Sequence, residues 1–473
     1  MLLFNLQMSM PATIRKQTIR WIATAACLLI TLQPALAQPA VPESQELLNG
    51  LKVLFWPKPG SSEVLVKLRI HSGSAFDLAG KAGEMALLGD ILFPDPATID
   101  YFTEQMGGKL SVSVTYDSIT VTMVGKAEQL NNILEVLRNA ILSTQLTPEV
   151  VARIRDNRIK MIRDTTVSPA TVADRTIAAR LFGDFPYGRP SAGSAEDLVR
   201  VGRGDLMLAR ERFLNSNNAT LAIVGGVSQS RAMRTLKQLF GAWRKSEQIV
   251  PSTFRLPKTP ESRTLVVNVP SPNTEVRLAV RGVSRSNQDF YAAALLARIV
   301  QNRWQALSPE LASKPLFVRS ESYTLPGSFV MGVAVNNEAV AGSIASAKKV
   351  IESLTTAPVT AEEVDRAKRE TLSETNPQPR ETEPDPWLDM DTYRLASAQD
   401  RTSSIQAVMA ADIQRVANRL FKDAAAATVV VGDAPQLKSA LQGHLSFEVL
   451  GETTEPPPSP KPPTKPGAND KPS

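Results

Sequence analysis

The sequence is short of the side chains that thiol and metal chemistry need. Its only cysteine, Cys27, lies in an apolar stretch near the N-terminus, and only two histidines, His71 and His444, occur in 473 residues. Beyond that stretch there is no thiol, which excludes a disulfide scaffold and a cysteine-ligated zinc there. The two histidines stand in opposite halves of the chain, so a paired-histidine metal site is hard to build, and each reads as structural. Cys27 is a poor lipid-attachment site, because Thr24 stands where leucine is wanted. No G-x-S-x-G elbow occurs, although a Ser/Lys dyad stays open. The segment GSAFDLAGKA (73–82) spaces its glycines wrongly for a phosphate loop and has Ala82 in place of the hydroxyl. An excess of one charge is missing as well. Of 53 basic and 47 acidic residues, Arg15, Lys16 and Arg20 fall in the N-terminal leader, and without them the balance is +3. So small a surplus argues against nucleic-acid binding.

What is present begins with that leader. Three basic residues precede the apolar run 21–32, and Ala35-Leu36-Ala37 offers a cleavage site before Gln38. Residues 1–37 read as a secretory signal peptide, and the run is too short to span a bilayer as a helix. Export without disulfides, and with no second apolar span, predicts a periplasmic protein with no integral membrane segment after cleavage. The whole chain is 43% apolar and 21% charged, as in a soluble globular protein of two or three domains. Residues 245–262 are polar and Pro-rich and read as a linker. The tail 451–473 is Pro-rich and nearly free of apolar residues, and reads as a disordered or polyproline-like spacer.

On either side of the linker the chain repeats itself. DLMLARERFLNSNNATLAIVGG (205–226) aligns without a gap on DIQRVANRLFKDAAAATVVVGD (412–433). EVLVKLRI (63–70) matches EVRLAVRG (275–282), and the helix around Leu87-Leu88 matches the one around Leu295-Leu296. The offsets agree to within a few residues, which predicts an internal duplication rather than a solenoid. Hairpin-linked strands at 109–116 and 118–124, with grouped helices at 99–106, 128–142 and from Thr147-Pro148-Glu149, give an α+β class. The expectation is two homologous domains, 38–244 and 263–450, each a mostly antiparallel sheet with helices packed on one face.

Read in order, LLNGLKVLFWPKPG (47–60), RIHSGSAFD (69–77), GKAGEMALLGDILF (80–93), Gly107-Gly108 and its hairpin, FPYGRPSAG (185–193) and LAIVGGV (221–227) resemble the pitrilysin/insulinase family of zinc peptidases. The resemblance runs over roughly residues 45–448. In active members it implies an HxxEH helix whose histidines bind zinc and whose glutamate activates water, with a further glutamate downstream as third ligand. Laid on that pattern, Ala86 and Asp90 stand at the histidines, Gly89 at the glutamate and Met161 at the third ligand. The substrate-contacting arginine and tyrosine of the second domain fall near Ser308 and Phe317, with Arg303 and Arg319 close by and otherwise read as solvated surface charges. Phe317 lacks the hydroxyl that would hydrogen-bond an oxyanion.

The resemblance therefore implies a family member with no catalytic residue of its own and no cofactor, zinc being expected only in a partner subunit. Its implied role is that of the non-catalytic, peptide-binding half of a heteromeric peptidase, meeting a zinc-bearing homologous subunit and an extended or unfolded polypeptide. The alternative is a structural or peptide-binding scaffold of the cell envelope. An active zinc peptidase would need ligands that the sequence does not offer.

Overall fold

Strand EVLVKLRI shows how the pattern becomes architecture. Its even positions Val64, Val66, Leu68 and Ile70 enter one apolar core, while Leu65, Lys67 and Arg69 face the opposite side. The computed structural model describes residues 41–165, 167–247, 254–255, 257–311, 313–374, 379–422 and 424–451. The leader with Cys27, most of the tail, and the centre of the linker lie outside the described residues.

Among the described residues, twelve strands form two six-stranded sheets. The first contains β1 (Glu43–Glu46), β2 (Lys52–Pro57), β3 (Glu63–Ile70), β4 (Lys109–Val114), β5 (Ile119–Lys126) and β6 (Ala219–Gly225), in the order β1-β2-β6-β3-β5-β4. The second contains β7 (Thr264–Asn268), β8 (Thr274–Arg281), β9 (Leu316–Glu321), β10 (Ser328–Val335), β11 (Ala427–Gly432) and β12 (Phe447–Val449), in the order β12-β7-β11-β8-β10-β9. Only β2–β6 is parallel in the first, and only β7–β11 and β7–β12 in the second. Five adjacent strands of each sheet, β2-β6-β3-β5-β4 and β7-β11-β8-β10-β9, correspond one to one, as the duplication predicts. The sixth place differs: an N-terminal strand fills it antiparallel in the first sheet, and a C-terminal strand fills it parallel in the second.

Helices cover one face of each sheet. Over the first lie Glu84–Ile91, Leu130–Arg138 and Gln229–Phe240, and over the second Phe290–Leu307, Val340–Thr356 and Ala410–Phe421. The helix Pro148–Asp164 starts as its sequence announces, with Thr147 Oγ1 accepting the Val150 N–H and Pro148 in the first turn. Ser168 and Pro169 open the helix Pro169–Phe182 in the same way.

The other faces are covered by an exchange. Helix Pro169–Phe182 belongs to the first half but packs Ala173, Ile177 and Leu181 on Leu265, Val267, Ala279, Val429 and Val431 of the second sheet. Helix Asp385–Tyr393 belongs to the second half but packs Trp387 and Leu388 on Leu54, Trp56, Leu65, Ala222 and Val224 of the first. Leu388 is fully buried, and removing such a side chain from water contributes about 1.5–3 kcal/mol. Acidic groups flank it. Asp385 takes Lys67 Nζ at 2.6 Å and Arg69 Nη2 at 2.8 Å, Asp389 takes Arg69 Nη1 at 2.7 Å, and Asp391 takes Lys52 Nζ at 2.8 Å. Each half thus completes the other's core, and the described residues from Pro42 to Gly451 belong to one compact unit.

Candidate functional site

The helix that the family pattern singles out is Glu84–Ile91, and its start is over-determined. Gly83 caps it at φ 101°, a left-handed conformation that glycine adopts without steric cost. A side chain there would also strike Leu198 and the Gly193 backbone, within 3 Å of its first carbon. The buried Asp77 carboxylate accepts the Gly83 N–H at 2.7 Å and the Met85 N–H at 2.8 Å, capping the helix from outside. Burial pushes the Asp77 pKa up to about 7, against the pull of those two donors and of Arg189. Glu84 is also buried, accepts the Leu78 N–H, and is shifted upward by desolvation.

Along this helix the metal positions are filled by ordinary packing. Ala86 is 1% exposed. A Cβ on Gly89 would lie 2.6 Å from Val114 Cγ2, so β4 already occupies the space a glutamate would need at that position. Asp90 does face an opposing group, and that group is a cation. Arg158, on Pro148–Asp164, meets it through both ends of its fork, Nε to Oδ2 at 2.6 Å and Nη2 to Oδ1 at 2.7 Å. The same guanidinium reaches the Ala86 and Ala192 carbonyl oxygens. Met161, which spacing alone puts at the third-ligand position, is instead 57% exposed. The residue of that helix that meets Asp90 is Arg158, about one turn earlier. One carboxylate held by an arginine is no zinc donor set, which needs about three protein ligands of His, Cys or carboxylate type. Among the described residues no group of three or more such side chains is placed to hold a metal. The residues present do not fit zinc.

The second-half candidates do not converge on this helix. Arg303 is neither a solvated charge nor free for a ligand, since Nε and Nη2 bind Glu363 at 2.7 and 2.9 Å. That pair also holds the Glu363 carboxyl below its ordinary pKa. Ser308 is buried just past Phe290–Leu307, its N–H donated to the Trp304 carbonyl. Phe317 and Arg319 lie on the other face of the second sheet, beneath helix Pro169–Phe182. Phe317 sits between the guanidinium groups of Arg277 and Arg319, each 4.9 Å from its ring centre, and lies flat on Gly332. Arg319 lies 3.4 Å from Asp174 and 2.8 Å from Glu321.

The histidines are equally separate. His444 is exposed. His71 bridges the halves, Nε2 to Thr220 Oγ1 at 3.0 Å and Nδ1 to Thr392 Oγ1 at 2.9 Å. Burial holds its pKa down to about 4 in spite of the nearby Asp391. Sequence reasoning missed Arg158 and Val114, which act here by tertiary position. The one available signal was the alternation of arginines with apolar residues in RIRDNRIKMIR (153–163).

What the site retains is an edge. β4 ends the first sheet beside the helix, with Leu110, Val112 and Val114 turned to the core and Lys109, Ser111 and Ser113 exposed. Among the described residues its outer N–H and C=O groups have no neighbouring strand, so an extended peptide can add to it.

Comparison with known proteins bears on the family and the fold. The profile described as insulinase (peptidase family M16) matches residues 52–195, and that described as the peptidase M16 inactive domain matches 200–371. A probable mitochondrial-processing peptidase subunit beta of Schizosaccharomyces pombe is 21% identical over 298 residues, covering 61% of this chain and 65% of that protein. A peptidase M16 inactive domain from Pseudomonas fluorescens superposes with a TM-score of 0.73 at 19% identity, over 83% of this chain and 97% of its own. A protease from Helicobacter pylori gives a TM-score of 0.75 at 20% identity, over 83% and 100%. At such identities the structural likeness shows the fold alone.

Proposed function

The chain belongs to the insulinase family of M16 peptidases, and from that premise we propose that it is a zinc-free, peptide-binding subunit that completes the active site of a zinc-bearing homologue. The observation that carries the reading is the Asp90–Arg158 pair: a guanidinium takes the place where a metal would face the helix, and Val114 fills the room for a general base. A preserved helix and free β4 edge without ligands suit holding an extended substrate, with the chemistry supplied by the partner. Export through the 1–37 leader would place this work in the periplasm. Among the described residues no helix is long and apolar enough to cross a membrane.

The test is to purify the chain alone and together with a co-expressed homologue that carries HxxEH. The reading expects no chelator-sensitive proteolysis from the chain alone and faster cleavage by the homologue in its presence. Unchanged cleavage, with peptide still bound, would transfer the chain to the scaffold reading. Stoichiometric zinc in the isolated protein would overturn both.

A further inference from the structure

A groove of about 650 Å³ opens where the two halves meet, away from β4. His71, Thr220 and Thr392 form its inner part, Lys52 and Asp391 line it, and Lys245 and Arg394 are exposed at its rim. Its size lies within the roughly 300–1,000 Å³ usual for small-ligand sites.

The rim cations differ from the others at this junction. Lys52, Lys67, Arg69 and Arg285 are all engaged: Lys52 with Asp391, Lys67 and Arg69 with Asp385, Arg285 with Gln399 at 2.7 Å. The side chains of Lys245 and Arg394 make no hydrogen bond or ion pair with any described residue, although the backbone around each is firmly held, the Arg394 N–H donating to the Met390 carbonyl. The Arg244 carbonyl accepts from the Ser216 N–H and Oγ, and Ser246 exchanges two 2.9 Å hydrogen bonds with the Asn217 amide. Arg394 sits at φ 54°, ψ 47°, alone among the described non-glycine residues in having a positive φ. Just before it, Thr392 is tied to His71 and Asp391 to Lys52 and Thr220. Glycine or asparagine would suit that left-handed helix end better. The fold instead spends strain on presenting a charged side chain. Glu46 also lines the groove without a described cation partner, and the two free cations leave the rim net positive.

We propose that this groove binds an extended peptide through a carboxylate held between Lys245 and Arg394. Asp391 is already neutralised by Lys52, so it does not repel such a ligand. The proposal requires no peptidase partner and goes beyond the edge-strand role of β4.

The carboxylate can come from an acidic side chain or a peptide C-terminus, and fluorescence anisotropy with labelled hexapeptides separates the two. The probes are an amidated Glu-rich peptide, its amidated Gln counterpart and the free-acid Gln peptide, each added to the whole protein. At low salt one or both carboxylate-bearing probes should bind at least about tenfold more tightly than the amidated Gln probe, and more weakly as salt rises. Lys245→Gln with Arg394→Gly should remove that preference. Arg394→Gly also relieves the left-handed backbone, so by itself it should raise the melting temperature while weakening acidic-peptide binding. A purely structural Arg394 would change only the first. Equal binding of all three probes, no binding of the acidic ones, or unaltered binding by the double variant would overturn the proposal.

Discussion

The two halves place the same element at the same point and use it differently. Counting by the repeat, Ala86, Gly89 and Asp90 correspond to Ala294, Ala297 and Arg298 in helix Phe290–Leu307. In the second half that helix is tied to Ala361–Ser373 by Arg303–Glu363, Asn302–Glu370 and Arg298–Glu374. In the first half the corresponding helices are tied by Asp90–Arg158, the same kind of bond with the signs reversed. The position that would carry chemistry in an active relative therefore does here what its twin does: it joins two helices. On the proposed reading, the twin helix is an example of the structural role that this helix serves within the same fold.

The exchanged helices offer the largest contrast to test. Asp385→Ala would leave Lys67, which is largely buried, with the Glu381 carbonyl as its acceptor and no carboxylate, while Arg69 keeps Asp389; removing one partner of a buried pair costs roughly 3–5 kcal/mol. Asp385 is itself partly exposed, so a loss of about 3 kcal/mol in urea unfolding is expected. Its counterpart Asp174→Ala should cost about half as much, because Arg277 keeps Glu275 at 2.9 Å. Equal losses would show that the two docking helices are held by apolar packing rather than by these charges.

Next in size is the helix tie itself. Arg158→Ala should cost about 2 kcal/mol, since it leaves Asp90 half-buried and unpaired. Asp90→Arg combined with Arg158→Glu reproduces the sign pattern of the second half and should recover most of either single loss. A double-mutant cycle with no coupling would reject the equivalence.

The repeat, the α+β class and the helix start at Thr147 were legible in the sequence, because periodicity and caps are local signals. Arg158 was not. Spacing along a helix can select Met161, but only packing decides which face of the helix turns toward Asp90. The exchanged helices were hidden for a similar reason, although the acid-rich 381–391 and the alternating Lys67 and Arg69 of β3 hold complementary charges that could have suggested their pairing.

A smaller difference is pH-dependent. His71 follows β3 where the fully buried Val283 follows β8. The folded His71 pKa lies near 4, below the unfolded value of about 6.5, so the folded state prefers the neutral ring. Stability from this group is intact above about pH 6.5, falls as the pH drops toward 4, and is level below that. Wild-type protein should lose about 2 kcal/mol from this source between pH 7 and pH 5. In His71→Val that slope should vanish. The two threonines keep partners there, Thr220 donating to Asp391 and Thr392 to the Leu388 carbonyl. An unchanged pH profile would assign acid sensitivity elsewhere, with Asp77 excluded by sign: its raised pKa favours the folded state as pH falls.

The smallest effect distinguishes a glycine kept for packing from one that is merely left over. In a helix interior, Ala is favoured over Gly by about 1 kcal/mol, so Ala297→Gly should lose roughly that amount. If Gly89 were a relic with no present constraint, Gly89→Ala would gain as much. Its new methyl would instead stand 2.6 Å from Val114 Cγ2, and overpacking of this kind costs about 1–3 kcal/mol. The clash offsets or outweighs the helix gain, leaving Gly89→Ala between neutral and about 2 kcal/mol destabilised. A gain of a full 1 kcal/mol in thermal or urea unfolding would mean that Val114 yields freely. The space for a glutamate at position 89 would then still be open, and the closure of that site would rest on Arg158 alone.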